Sequence, residues 1–370
     1  MLFSILALPL ELYRAKSMRR NVLYILLLCL VCSCQKEEKE YIPVEPIDWT
    51  DCGELVCEEI TTDNYWPSYP TGMFIVNGNL IIKDEKGYQL LFHVLTEDGR
   101  LVQEFLGRGG GPEEYVASDF NAQLSDGHEL EMFDTARGRL ISYALDNGRF
   151  VFSRAFLPQT SDGTIREIVN AGHYYLAMGE NGHFDDNRFL VLDTLGNTVN
   201  FMGSYPAIHP DLLVNAEKDL QTILYHTSFF RLSPNKQRAV FASYKGALIQ
   251  FFDLSSLPDS ITTRSVQLER PKKKEQIAQD HEGWVYGFED VYTTCNHVYA
   301  IYNGETAIDN PELGQFILKY DWNGNLLATY KANMGLRSLA VDEASGRVFL
   351  IGYINSEMKL FAGYLVDEVQ

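Results

Sequence analysis

Two segments of the chain combine residue types that could bind a ligand. Residues 107–115 form a glycine-rich loop that contains Arg108 and Glu113. Residues 180–188 combine acids, a histidine, an aromatic ring and an arginine, and the candidate ligand residues there are Glu180, His183, Asp185, Asp186 and Arg188. Long polar loops on a rigid scaffold often carry binding sites, although a solvated loop is the alternative.

The glycine-rich loop does not match the known phosphate-binding loops. Those loops open a helix and need either Gly-Lys-Ser/Thr or the spacing G-x-G-x-x-G. Here the glycines stop at Pro112, and a strand-like run follows. We therefore predict a tight crossing between two structural units, with Glu113 at its rim.

Common catalytic and metal-binding motifs are missing from the sequence. His281-Glu282 lacks the second histidine of HExxH, and no G-x-S-x-G nucleophile elbow occurs. Residues 321–325 resemble the start of a calcium loop but lack its distal glutamate, so a hairpin turn is the better interpretation. We predict no catalytic residue and no cofactor, and leave open a divalent ion in a central channel.

A four-strand pattern recurs along the chain and must position these loops. Its clearest marker is a turn of Asp, Asn or Glu with Gly, which occurs at residues 97–100, 146–149, 193–197 and 321–325. Such turns favour tight hairpins. The units begin near residues 72, 120, 165, 230, 288 and 337, and four strands in about 40–50 residues is the size of a propeller blade. The pattern predicts an all-β fold, a six-bladed β-propeller of four-stranded blades.

The last unit runs out of chain after Val366, before a fourth strand. The segment Glu54–Thr61 is strand-like and has no other place in the pattern. We predict that this N-terminal strand completes the sixth blade, closes the ring and protects its open edge.

Propeller geometry places a ligand at one mouth of the channel. We choose the mouth formed by the blade-to-blade crossings and by the loops between second and third strands, which adds the candidates Asp134, Arg137, Tyr244 and Tyr302. The aromatic segment at residues 65–70 precedes the first blade. We expect it to pack across the propeller face, with contact to a glycan as the alternative.

The N-terminus has the features of an export signal. Met18-Arg19-Arg20 precedes an apolar run of 11 residues, Val22–Cys32, too short for a membrane span of about 20 residues. Residues 1–33 are therefore predicted to be a signal peptide, with Met18 as a possible true start. The run ends in a sequence that resembles a bacterial lipobox, which makes Cys34 the predicted lipidated residue; an ordinary signal peptide is the alternative.

Residues 34–50 are predicted to be a lipidated flexible tether, and residues 51–370 the propeller. The charged string at residues 35–40 resembles a tag that directs some lipoproteins to the cell surface, with a solvated linker as the alternative. The chain has 31 basic and 50 acidic residues, and loss of residues 1–33 would change its net charge from −19 to −22. This acidity argues against a nucleic-acid partner.

The stretch from Phe105 to Phe150 resembles an NHL-type repeat. It has the glycine-rich loop, a strand that ends at Asp134, a basic loop at Arg137 and an acidic-glycine turn. Together with the lipoprotein signal, it resembles the six-bladed propeller lipoproteins of Bacteroidales that are grouped as TolB-like. The resemblance implies the propeller fold but no settled activity.

The leading hypothesis is a non-catalytic propeller, anchored by lipid in the outer membrane and displayed on the cell surface or on the periplasmic face. It would bind a protein or an extracellular ligand through its loop face. The alternative is a lyase or hydrolase with His, Arg and acidic residues at the channel mouth.

Overall fold

The computed structural model of the chain describes residues 41–86, 88–125, 127–159, 165–179, 184, 187–205, 228–269, 286–304 and 313–366. The regular secondary structure within these ranges consists of 23 β-strands, numbered β1 to β23. None of these described residues belongs to a helix that could cross a membrane.

Four sheets each contain four consecutive antiparallel strands. Blade 1 comprises β2 (Pro70–Val76), β3 (Asn79–Asp84), β4 (Leu90–Thr96) and β5 (Leu101–Gly107). Blade 2 comprises β6 (Ser118–Ser125), β7 (Glu129–Asp134), β8 (Arg139–Asp146) and β9 (Arg149–Phe156). Blade 3 comprises β10 (Ile165–Asn170), β11 (Tyr175–Gly179), β12 (Asn187–Leu192) and β13 (Thr198–Ser204). Blade 4 comprises β14 (Ser228–Leu232), β15 (Arg238–Ser243), β16 (Leu248–Asp253) and β17 (Thr262–Gln267).

The other two blades share one seven-stranded sheet. Blade 5 comprises β18 (Phe288–Thr293), β19 (His297–Tyr302), β20 (Gly314–Asp321) and the first half of β21 (Leu326–Asp342). Blade 6 comprises the second half of β21, β22 (Arg347–Ile354), β23 (Glu357–Val366) and β1 (Gly53–Ile60). Six four-stranded units result, as the sequence pattern predicts.

The ring is closed by the N-terminal strand. β1 pairs antiparallel with β23 over seven residues, from Glu54 opposite Val366 to Ile60 opposite Leu360. The closing strand therefore joins residues about 300 positions apart, and the prediction for Glu54–Thr61 is confirmed.

The long strand β21 differs from the predicted pattern, in which one strand follows the turn at residues 321–325 and the sixth unit begins near residue 337 with a separate strand, Ser338–Val341. Residues between these two runs alternate between exposed and buried, and Ala332 and Met334 are buried. This period-two pattern keeps the crossing extended, so that one strand serves two blades.

The predicted glycine turns have the expected backbone conformation. Gly99 and Gly148 adopt φ values of +91° and +78°. The turn at Gly99 also packs against the end of the closing strand, where a Cβ on this residue would lie 2.4 Å from the carbonyl oxygen of Thr61. Only glycine fits both requirements at that position.

The core lies between adjacent blades and is rich in aromatic rings. Between blades 1 and 2, the Phe105 ring stacks at 5.1 Å from Phe92 and at 5.3 Å from Phe150. All three rings are buried. Each contributes about 1.5–3 kcal/mol by leaving water, so the wedge between blades is a major source of stability.

Residues from the end of the predicted tether contact blades 4 and 5. The amide of Glu45 donates to the carbonyl of Gln267 at 2.8 Å, and the Trp49 ring lies 4.3 Å from that of Phe316. Cys34 lies outside the described residues. The described cysteines Cys52, Cys57 and Cys295 are all unpaired thiols.

Candidate functional site

Polar side chains occupy the innermost strands of the blades, in positions surrounded by apolar residues. All of them are buried: Asn121, Gln123, Glu167, Arg231, Glu289, Asp290, Arg337 and Ser338. They form a network along the central channel. One end of this channel bears the blade-to-blade crossings; the other bears the first hairpin turn of each blade. We call these the crossing end and the hairpin end.

At the crossing end, Arg337 links three blades. Its guanidinium donates to a carboxylate oxygen of Glu289 at 3.1 Å and to the carbonyl of Pro70 at 3.2 Å. Glu289 also accepts from the side chain of Asn303 at 3.4 Å. A buried carboxylate with these partners avoids the cost of an isolated charge.

Midway along the channel, Asp290 is the central acceptor. Its carboxylate accepts from the Ser338 hydroxyl at 2.5 Å and from the Leu339 amide at 3.2 Å, and it lies 3.7 Å from the Arg231 guanidinium. Burial raises the pKa of Asp290, and the Arg231 charge and these hydrogen bonds oppose that rise.

Near the hairpin end, amide side chains join blades 2 and 4 directly. Gln123 donates to the carbonyl of Phe230 at 2.6 Å and accepts from the amide of Leu232 at 3.0 Å. Asn121 accepts from the Phe230 amide at 2.9 Å and from the Arg231 guanidinium at 2.6 Å. The inner strand of blade 2 is thereby tied to that of blade 4.

A cavity of about 510 Å³ opens at the hairpin end, and Gln123, Arg231 and Leu232 are among the residues that line it. Its apolar wall comprises Phe74, Ile75, Leu124, Leu232, Val291 and Val341. Polar groups reach it from Gln123, Arg231, Thr293, Asn296, Asp342 and Glu343. An apolar wall with a few converging polar groups, in a volume between about 300 and 1,000 Å³, is typical of small-molecule pockets.

Glu343 organises the rim between blades 5 and 6. One of its oxygens accepts from the Thr294 hydroxyl at 2.8 Å and lies 2.6 Å from Nδ1 of His297, and the other accepts from Asn296 at 2.9 Å. Burial acts to raise the pKa of Glu343, but the hydrogen bonds from His297, Asn296 and Thr294 outweigh it and leave the pKa below its usual value. The rim is thus held in shape by an ionised carboxylate.

A metal centre would need several ligands in one place. Among the residues that the structure describes, no group of three or more His, Cys, Asp or Glu side chains is arranged to hold a metal ion.

Two predicted residues at the end of β7 and in the loop after it, Asp134 and Arg137, lie at the crossing end and hold the glycine-rich loop in place. Asp134 is fully buried and accepts from the amides of Val116 and Ala117, both at 3.3 Å. Arg137 donates to the carbonyl of Gly111 at 2.8 Å. These contacts form the tight crossing that the sequence predicts.

The two predicted residues of the glycine-rich loop itself reach the surface. Arg108 is exposed, and its guanidinium lies 5.6 Å from the centre of the Tyr115 ring. Glu113 is also exposed, and its carbonyl accepts from the Tyr143 hydroxyl at 3.1 Å. Neither side chain lines the cavity at the hairpin end.

The remaining predicted residues lie elsewhere in the ring. Arg188 is buried between blades 3 and 4, with its guanidinium 4.0 Å from the centre of the Phe241 ring. The rings of Tyr244 and Tyr286 meet edge to face at 5.3 Å, and the buried Tyr302 donates to Glu269 at 2.9 Å. Glu180, His183, Asp185 and Asp186 lie outside the described residues.

A family model described as "TolB-like 6-blade propeller-like" matches residues 54–344. This range includes the inner strands of all six blades and every residue that lines the cavity. The chain belongs to the TolB-like six-blade propeller family. The TolB-like resemblance inferred from sequence is confirmed.

Solved structures share the TolB-like fold of this chain at low sequence identity. A Bacteroides fragilis protein described as exported matches with a TM-score of 0.54 and 11% identity, over 88% of this chain and 99% of that one. A member of the DUF4221 family from Bacteroides vulgatus matches with a TM-score of 0.51 and 10% identity, over 85% and 98% of the two chains. No curated protein matches the sequence.

Sequence reasoning missed the channel network and the cavity of this TolB-like propeller. A signal for them exists: charged or amide residues interrupt apolar inner strands, as Arg231 does in β14 and Arg337 in β21. Such residues need partners when buried. The prediction instead followed loop polarity, which identifies exposed segments but not which polar groups border a cavity.

Proposed function

We propose that this TolB-like propeller is an exported, lipid-anchored binding protein that holds a small extracellular ligand at the hairpin end of its channel. The observation that carries the proposal is the cavity of about 510 Å³, with an apolar wall and polar groups on one side. The residues around it belong to rigid strands and short turns from five blades, so the site requires little reorganisation on binding.

The network beneath the cavity supports a binding role. Gln123 and Arg231 border the cavity and are themselves fixed by hydrogen bonds to neighbouring inner strands. Side chains held in this way keep a constant geometry at the cavity wall. Such preorganisation favours specific binding of one ligand shape.

A cavity-filling variant tests this proposal. Ala344 is exposed at the rim, so that Ala344→Trp would fill the mouth without disturbing the core. Native mass spectrometry of the protein, incubated with an extract of the source culture, should show a bound small molecule that Ala344→Trp loses. Gln237→Trp is the matched control, because Gln237 is exposed on a neighbouring hairpin turn and does not line the cavity. Equal binding by the two variants, or no bound molecule in the wild type, would contradict the proposal.

Export and anchoring rest on the N-terminal sequence. The apolar run that ends before Cys34 and the acidic-basic string after it support a lipid anchor with surface display. Metabolic labelling with an alkyne fatty acid should mark the wild-type protein and leave Cys34→Ser unlabelled. Added protease should then degrade the protein on intact cells, whereas complete protection would place it on the periplasmic face.

A further inference from the structure

A second concave surface lies beside the closing strand, and none of its lining residues lines the cavity. This groove has a volume of about 670 Å³ and lies between the end of β1, the hairpin of β22 and β23, and residues 66–68. Its walls include two exposed aromatic rings, Trp66 at 69% exposure and Tyr353 at 37%. Two exposed rings on one concave surface offer a ligand an apolar area to contact.

The backbone of Trp66 is held rigidly. Its amide donates to the Tyr88 hydroxyl at 2.8 Å, and the same hydroxyl donates to the Trp66 carbonyl at 2.6 Å. The Tyr88 ring in turn lies 5.6 Å from the ring of Tyr65 and 4.4 Å from that of His93, and both of these residues are fully buried. An indole mounted on such a support loses little backbone freedom when a ligand stacks on it.

Polar groups surround the two rings. Thr61, Ser68 and Ser356 contribute hydroxyl-bearing side chains to the groove lining. The lining carboxylates are those of Glu59 and Glu357, and Lys359 lies 3.0 Å from the first and 4.0 Å from the second. Acceptors and donors around an aromatic face suit a ligand that has both C–H faces and hydroxyl groups. The excess of acidic over basic groups disfavours an anionic ligand.

We propose that this groove binds a neutral carbohydrate chain, with one pyranose ring stacked on the Trp66 indole and its hydroxyl groups hydrogen-bonded to the carboxylates of Glu59 and Glu357. Glucose units suit the indole because their hydroxyl groups are equatorial and leave both ring faces apolar. This carbohydrate site is separate from the proposed ligand site in the channel, because the two sites share no lining residue.

Isothermal titration calorimetry with cellohexaose and maltohexaose tests the proposal on the protein without its signal peptide. We expect saturable binding of at least one of the two, weakened about tenfold or more in Trp66→Ala. Trp66→Phe should retain part of the affinity because it keeps a stacking face. Leu195→Ala is the matched control: Leu195 is also highly exposed, at 72%, and lies in blade 3, so that its variant should bind as the wild type does.

Three outcomes would overturn the proposal. They are that neither hexasaccharide binds, that Trp66→Ala binds as well as the wild type, or that oligogalacturonate binds more tightly than the neutral chains. Circular dichroism and thermal unfolding of Trp66→Ala should match the wild type, because the removed ring is mostly in solvent. Tyr353→Ala, in the β22 wall of the groove, provides a second test if Trp66→Ala unfolds. Ala344→Trp should leave carbohydrate binding unchanged, which separates this site from the channel cavity.

Discussion

The two ends of the channel use the same residue types for different purposes. At the crossing end, Asp84 accepts from the amides of Ser68 and Tyr69, both at 2.8 Å, and Asp134 accepts from Val116 and Ala117 in the same way. Each carboxylate fixes the segment that enters its blade. At the hairpin end, polar groups surround an open cavity instead. Polarity along the chain does not distinguish these ends; the partners of each group do.

The difference implies that substitutions at the crossing end affect stability, whereas those at the hairpin end affect binding. Asp134→Ala should have the largest effect on unfolding. It removes a buried carboxylate that lies 3.7 Å from the Arg139 guanidinium, and it leaves the amides of Val116 and Ala117 without this acceptor. We expect a loss of about 3 kcal/mol in the free energy of unfolding, measured in urea.

The control for this variant is Asp146→Ala, at the exposed end of β8 in the same blade. It should change the free energy of unfolding by no more than about 0.5 kcal/mol. A similar loss in both variants would show that Asp134 has no special role in fixing the crossing.

Gln123→Ala should have an intermediate effect, and it should change both the stability of the fold and the binding of the ligand. The change removes two hydrogen bonds to the inner strand of blade 4 in a buried setting, with an expected cost of about 2 kcal/mol. It also widens the floor of the cavity, so ligand binding should weaken. Urea unfolding and native mass spectrometry measure the two effects on one protein.

Gln103 offers a matched comparison because it makes the same pair of bonds between blades 1 and 2. Its amide donates to the Phe150 carbonyl at 2.6 Å and accepts from the Phe150 amide at 2.8 Å. Gln103 is half-buried and lies away from the cavity, so Gln103→Ala should cost about 1 kcal/mol and leave ligand binding intact. If Gln103→Ala impaired ligand binding as much as Gln123→Ala does, the role proposed for Gln123 at the cavity would be wrong.

The smallest predicted effect is on pH dependence, which should have opposite signs at the two ends. The pKa of Glu343 is lowered, so its contribution is present above the usual glutamate value and is lost as pH falls through the folded value. Glu343→Gln should therefore lose less stability than wild type between about pH 6 and pH 3.

Asp84 behaves in the reverse way, because burial raises its pKa more than its hydrogen bonds lower it. The folded protein then binds a proton more readily than the unfolded chain, and stability from this group decreases as pH rises from the usual aspartate value to the folded one. Asp84→Asn should lose more stability than wild type on acidification. Unfolding free energies at several pH values check both variants, and equal slopes would contradict the comparison.

Much of the architecture was predictable from local patterns. The Asp/Asn-Gly turns, the repeat of four strands and the unpaired segment Glu54–Thr61 indicated the blades and the closure, because a hairpin is specified by residues close together in sequence. The extended crossing in β21 was missed because its alternation at Ala332 and Met334 continues between two strands already recognised.

The chain's own sequence determined the repeat, its turns and the strand that closes the ring, since each depends on backbone preference and on alternation over a few residues. Only the tertiary structure decided which polar residues are structural and which border open space. Arg188 and Asp134 lie in polar stretches yet are buried, whereas Trp66 lies in an aromatic stretch yet faces solvent. The physical reason is that burial and hydrogen-bond partners come from outside the local stretch: Asp134 accepts from the amides of Val116 and Ala117, and Arg188 packs on Phe241 in the next blade, so no local pattern encodes them.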